Sequence, residues 1–146
     1  MTNLLFVCHG NRERSAAAEL IALARYPEFA VYSSGVAGTS GHITSRKMRQ
    51  ALAEAGYSTV SMRSRAITAA QIDWADRVFY MDRGNERRLQ AAFGDIAHSE
   101  RLSNYVQGEN RIANPGWCKD MSMHRRIVSM IEEALQRLSV EYQAVA

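Results

Sequence analysis

An α/β domain whose parallel sheet is covered by helices on both faces is the fold class this sequence predicts, on three observations. Short apolar runs at 4–7, 29–32 and 78–81 alternate with segments whose apolar residues recur at helical spacing. The first run, Leu4-Leu5-Phe6-Val7, is continuously apolar and lacks the alternation of a sheet with one wet face. Finally, 146 residues of which 47% are hydrophobic suit a single core, so one domain is expected over residues 1–146.

The elements follow in order. Leu4 to Val7 is the first strand, stopped by Gly10-Asn11. Ser15 is placed to cap the next helix, which carries Leu20, Ile21 and Ala24 on one face and ends at Pro27. Phe29 to Tyr32 is a second strand, stopped by Ser33-Ser34-Gly35. Thr44 to Ala55 is a second helix, with Met48, Ala51, Leu52 and Ala55 at helical spacing and Gly56 as terminator. Val60 and Met62 fit a short extended piece, Arg77 to Met81 a further strand, and Glu86 to Phe93 a short helix. The last strand is expected within Arg101 to Val106. Met123, Ile127, Met130, Ile131, Ala134, Leu135 and Leu138 then form one apolar stripe, the core face of a long final helix.

Charge and cysteine content narrow the function classes. Eighteen Lys and Arg against 15 Asp and Glu leave a formal charge of +3, with no long basic run, so nucleic acid is not an expected partner. No stretch approaches the roughly 18 apolar residues of a membrane span, and no leader is read at the N-terminus. Two cysteines, Cys8 and Cys118, cannot build a disulfide framework. A reducing cytoplasm is the expected compartment. His9, His42, His98 and His124 show no zinc spacing, so no metal site is expected.

The chemistry concentrates in Cys8-His9-Gly10-Asn11-Arg12-Glu13-Arg14-Ser15, a loop between a strand and a helix. Such a loop aims backbone N–H groups and the positive end of a helix dipole at one point, as an oxyanion requires. The same surroundings favour a cysteine thiolate, although a free thiol has a pKa of about 8.5. Cys8 is therefore the candidate nucleophile. Arg14 offers a planar fork for two phosphoryl oxygens, and Ser15 a hydrogen bond to the sulfur. His9, Gly10, Asn11, Arg12, Glu13 and Arg14 are the expected phosphate-binding residues; Gly10 permits close approach, and Asn11 tolerates left-handed dihedrals.

Cys-x-Gly-Asn-x-x-Arg-Ser after a first strand resembles the signature of the low-molecular-weight protein tyrosine phosphatases. The resemblance extends along the chain: Ser33-Ser34-Gly35 is similar to the family's serine-glycine turn, and Met81-Asp82 with Asn85 to its Met-Asp and asparagine. Met62-Arg63-Ser64-Arg65 stands where relatives often have His-x-Ser-Arg, so that histidine is missing. The resemblance implies a four-stranded parallel sheet and a cysteine-dependent phosphatase that forms a phosphocysteine and needs no cofactor. Its partners would be a phosphotyrosine protein or a small aryl phosphate, with inorganic phosphate or another oxyanion in the loop.

The pattern departs from the family at its acid. The family's Asp-Pro, which protonates the leaving phenol, aligns with Asn114-Pro115. An amide cannot deliver that proton, and such help is worth about 100- to 10,000-fold, or roughly 3 to 5 kcal/mol. Asn114 could instead hydrogen-bond the ester oxygen; Asp120, or Glu109, is an alternative acid on the same stretch. Trp117 is similar to the aromatic wall that relatives place after the dipeptide, and core burial is its other reading. Glu13 replaces the second cysteine that some relatives keep beside the nucleophile, and Cys118 offers an alternative thiol to resolve oxidised Cys8. Three readings follow: a phosphatase of reduced turnover, a degenerate module that binds phosphotyrosine or an oxyanion, and an arsenate reductase, which would need more cysteines.

Overall fold

The computed structural model describes residues 1–38, 40–59, 62–116 and 118–145. Four parallel strands form one sheet: β1 (Thr2–Cys8), β2 (Phe29–Gly35), β3 (Arg77–Tyr80) and β4 (Ser99–Arg101), in the order β2-β1-β3-β4. The helices are α1 (Arg14–Arg25), α2 (Arg46–Glu54), α3 (Ala69–Trp74), α4 (Arg83–Phe93) and α5 (Ser122–Val145).

Strand β1 shows why both faces are covered. Leu4, Phe6 and Cys8 pack into one core with Ile21 of α1, Leu52 of α2 and Ile127, Ile131 and Leu135 of α5. Leu5 and Val7 point the other way, into a second core with Ile72 of α3 and Leu89 of α4. Side chains alternate along a strand, so a continuous apolar run is what two cores demand. Phe6 is fully buried and stacks on Phe79 of β3 at 5.9 Å; truncating a buried Phe to Ala typically costs about 3–5 kcal/mol. The stripe of α5 is buried as its spacing predicted.

Several expectations need correction. Ser15 does not cap α1: Glu13 holds that position without a side-chain bond, and Ser15 lies inside the first turn. Helix α2, expected from Thr44 to Ala55, runs from Arg46 to Glu54, with Ser45 capping it through Met48 N–H. The strand expected within 101–106 occupies Ser99–Arg101, and Leu102–Tyr105 forms a 3-10 turn instead. Of the extended piece near 60–62, Val60 lies outside the described residues, and Arg63 makes an isolated bridge to Ile43. The short helix α3 went unread because six residues give too little periodicity; its Thr68–Gln71 capping box was the legible signal.

The chain leaves β1 for β2 on one side and later returns to β3 on the other. The strand order therefore reverses at the C-terminal end of β1, where open α/β sheets bind ligands. Cys8 is the last residue of that strand.

Candidate active site

Residues 8–14 wrap from the end of β1 into α1, and neighbouring backbone fixes the loop. Val36 N–H donates to the Cys8 carbonyl, Ala37 N–H to that of His9, and Ser45 N–H to that of Arg12. Gly35 lies directly beneath the loop: a Cβ there would sit 2.8 Å from Gly10 C and His9 O and 2.9 Å from Asn11 N. A Cβ on Gly10 would meet no protein atom within 4 Å. The glycine that the loop's packing requires is Gly35.

Asn11 is the brace. It has φ 56°, and among the described residues it alone has a positive φ without being glycine. Its buried amide donates to Ser15 Oγ at 2.8 Å and to Ser33 Oγ at 2.9 Å, while Oδ1 accepts from Arg65 N–H at 2.9 Å. Ser33 in turn donates to Glu19, which also pairs with Arg65 at 2.8 Å. The Arg65 guanidinium lies 3.9 Å over the Tyr32 ring. These contacts explain the buried Ser33 and Glu19, whose part the sequence did not disclose.

The reactive groups meet at this loop. Cys8 Sγ lies 2.9 Å from Ser15 Oγ, and both residues are buried. With Asn11 donating to its oxygen, the Ser15 hydroxyl can donate to the sulfur at 2.9 Å, the Ser34 carbonyl at 3.4 Å being the more distant acceptor. Arg14 is 1% exposed, and its Nη1 donates to Asp82 Oδ2 at 2.6 Å and to the Ile112 carbonyl at 2.9 Å. Its Nε is buried without a partner. An unsatisfied buried guanidinium donor is costly, and a phosphoryl oxygen in the loop would satisfy it.

Asp82 was not assigned a role from sequence, although Asp82-Arg83-Gly84-Asn85 carried a capping signal. Its Oδ1 caps α4 by accepting from Asn85 N–H at 2.9 Å, which turns Oδ2 toward Arg14. Burial pushes the Asp82 carboxyl up, but the Arg14 guanidinium and the N–H groups of Asn85 and Gly84 outweigh it and hold the carboxyl below its ordinary value.

The loop frames a cavity of about 190 Å³ lined by Cys8, His9, Gly10, Arg12, Glu13, Arg14, Ser45 and Asn114. Every candidate of the signature loop except Asn11 and Ser15, which support it from below, lines that space. Asn114 is exposed, and its Oδ1 accepts from Gly116 N–H at 3.1 Å. That bond leaves the amide NH₂ as the group available to a ligand: a hydrogen-bond donor, not an acid. Arg12 is exposed; its Nε donates to the Ile43 carbonyl at 3.1 Å, and its remaining guanidinium nitrogens have no partner among the described residues.

The alternative acids are elsewhere. Asp120 is exposed and accepts from both the hydroxyl and the N–H of Ser122 at the start of α5. Those bonds hold its carboxyl below the ordinary value, the wrong direction for a proton donor. Glu109 is paired with Arg126. Neither lines the cavity. Cys118 is half-buried, and its carbonyl and that of Lys119 accept from Lys47 Nζ; it and Cys8 are both free thiols. Trp117 lies outside the described residues. The carboxylate that does line the cavity is Glu13, whose Oε2 lies 3.2 Å from Nε2 of buried His124.

Comparison with known proteins agrees with this architecture. The family model for low molecular weight phosphotyrosine protein phosphatase matches residues 3–145. Low molecular weight protein-tyrosine-phosphatase PtpB of Staphylococcus aureus is 30% identical over 131 residues, covering 88% of this chain and 93% of the relative. The counterpart Ptp of Acinetobacter johnsonii is 25% identical over 108 residues, 74% of this chain and 76% of that protein. Among solved structures, the YwlE arginine phosphatase of Geobacillus stearothermophilus superposes with a TM-score of 0.87 at 28% identity, covering 99% of this chain and 94% of its own. A low molecular weight phosphotyrosine phosphatase of Vibrio cholerae O395, at 23% identity, shares the fold with a TM-score of 0.87 over 98% and 97% of the two chains. With a cavity of about 190 Å³ at the buried Cys8 and a family match across nearly its whole length, the chain belongs to the low molecular weight phosphotyrosine protein phosphatases, cysteine-based hydrolases of phosphoric monoesters.

Proposed function

We propose that this chain hydrolyses phosphotyrosine-type monoesters, on proteins or as small aryl phosphates, in a reducing cytoplasm. The observation that carries the reading is the pairing of Cys8 Sγ with Ser15 Oγ beside an Arg14 whose Nε has no partner. Cys8 attacks phosphorus as the bond to the phenolic oxygen breaks. Arg14 and the loop N–H groups hold the three equatorial oxygens, where charge spreads in the transition state. Ser15 stabilises the sulfur as it becomes the leaving group in the second step. Asn114 donates a hydrogen bond to the ester oxygen without giving up a proton, and Trp117 is assigned the aromatic wall on the sequence alone.

The Geobacillus relative is named an arginine phosphatase. Here the free guanidinium of Arg12 at the cavity wall opposes a second guanidinium on the substrate and favours an anionic or neutral one. Steady-state rates on a phosphotyrosine peptide and on its phosphoarginine counterpart, for wild type and Cys8→Ser, test the reading. Preference for phosphotyrosine, abolished in Cys8→Ser, is expected. Preference for phosphoarginine, or turnover that survives Cys8→Ser, would overturn it.

A further inference from the structure

The reaction as described leaves one proton without a carrier, since the leaving phenolate must be protonated and the attacking water must lose a proton. Asn114, Asp120 and Glu109 do not meet that need. Glu13 is the one carboxylate among the residues lining the phosphate cavity. It stands at the head of α1 but makes no cap bond, so its side chain does not serve the helix end. Its Oε2 is buried and lacks a hydrogen bond, although it lies 3.2 Å from Nε2 of His124: the atoms are close but misaligned. His124, in the first turn of α5, is 2% exposed, and its Nδ1 also has no partner. A buried imidazole and a half-buried carboxyl, each with an unsatisfied buried atom, are costly in a purely structural role.

We infer that Glu13, positioned by His124, exchanges the proton in this phosphatase; the inference rests on the reading of the site given above. In the first step the Glu13 carboxyl transfers its proton to the phenolic oxygen as the P–O bond breaks and the P–S bond to Cys8 forms. In the second step the Glu13 carboxylate takes a proton from the water that attacks phosphocysteine, and Cys8 departs as thiolate. The balance closes with phenol and inorganic phosphate as products. His124, 3.2 Å behind Oε2, confines the carboxyl by proximity.

Two further groups line the cavity, the His9 imidazole and the Arg12 guanidinium, which keeps free nitrogens; the remaining charged groups nearby are held. Arg14 is held by Asp82, Arg12 points its Nε to Ile43, and Arg125 and Arg126 of α5 pair with Glu54 and Glu109. Lys47 of α2 is bound to two carbonyls, and Asp120 to Ser122.

Glu13→Gln keeps the shape of the side chain and removes the exchangeable proton. Rates on aryl phosphates of graded leaving-group pKa should be almost independent of that pKa in wild type. In Glu13→Gln they should fall steeply toward poor leaving groups, losing about 100-fold on phosphotyrosine and little on dinitrophenyl phosphate. Glu13→Asp should recover part of the loss. His124→Leu should alter the pH profile of kcat with orthovanadate affinity unchanged, and His124→Gln, which keeps a donor, should restore the profile. Acid-quenched phosphocysteine on Cys8, formed from dinitrophenyl phosphate, separates the two levels of the account. Normal labelling with an unchanged leaving-group slope in Glu13→Gln would overturn the role of Glu13 alone. Absence of labelling in wild type would overturn the phosphatase reading and this proposal with it.

Discussion

Arg14 Nη1 and Asp82 Oδ2 are 2.6 Å apart, joining the end of the loop after β1 to the N-cap of α4. The pair fixes one edge of the guanidinium and leaves Nε for a ligand. Asp82→Asn keeps the cap but replaces a charged partner by a neutral one, so kcat/KM should fall by about tenfold or more while α4 survives. The pH dependence has a definite sign. Because the folded-state value for Asp82 lies below the ordinary one of 3.8, its contribution is present at neutral pH and down to about that value. It is lost as pH falls further, through the folded-state value. Acid denaturation of wild type and Asp82→Asn should therefore differ above pH 4 and converge below it.

Gly35→Ala places a Cβ against loop backbone at 2.8 Å, where no side chain can yield. The loop must shift, at a cost of about 1–3 kcal/mol. The melting temperature should drop, and orthovanadate should raise it less than it raises that of wild type. Equal stabilisation of both proteins by orthovanadate would contradict the placement of Gly35 beneath the loop.

Asn11→Gly separates backbone freedom from hydrogen bonding. Glycine accepts φ 56° without strain but loses the bonds to Ser15, Ser33 and Arg65. Each such bond is worth about 1 kcal/mol net. The variant should fold with reduced stability, and its kcat should fall while Asn11→Ala, which adds strain, loses still more stability. Chemical denaturation and steady-state kinetics on the same samples check the ordering.

Arg12 leaves part of its guanidinium unpaired at the cavity wall. Phosphotyrosine peptides with acidic neighbours should be turned over with lower KM than basic ones. Arg12→Ala should erase most of that difference with little change in kcat on a small aryl phosphate. The preference should also weaken with salt, as exposed charges are screened over about 10 Å at 0.1 M.

The loop that names the chemistry was legible because its residues are contiguous. Cys8, Gly10, Asn11, Arg14 and Ser15 are local in sequence, and β1 before them is announced by four apolar residues. What escaped was long-range. Asp82 reaches Arg14 from 68 positions away, and Glu13 meets His124 from the far end of the chain. A carboxylate at the surface and one that anchors an arginine look alike until the sheet order is known. Gly35 illustrates the same limit: its need for space arises from backbone brought over it by the β1–β2 register, in which Cys8 pairs with Gly35. Ser15 was misread as a cap for a different reason. Its residue type suits a cap, but its hydroxyl is committed to Asn11 and Cys8.

The central claim is that Cys8 becomes phosphorylated during turnover. Rapid mixing with a phosphotyrosine peptide, acid quench and peptide mass mapping measures this directly. The account predicts a phosphoryl group on the Cys8 peptide that appears before steady state and is absent from Cys8→Ser. Turnover without any adduct on that peptide, or an adduct that persists in Cys8→Ser on another residue, would contradict it.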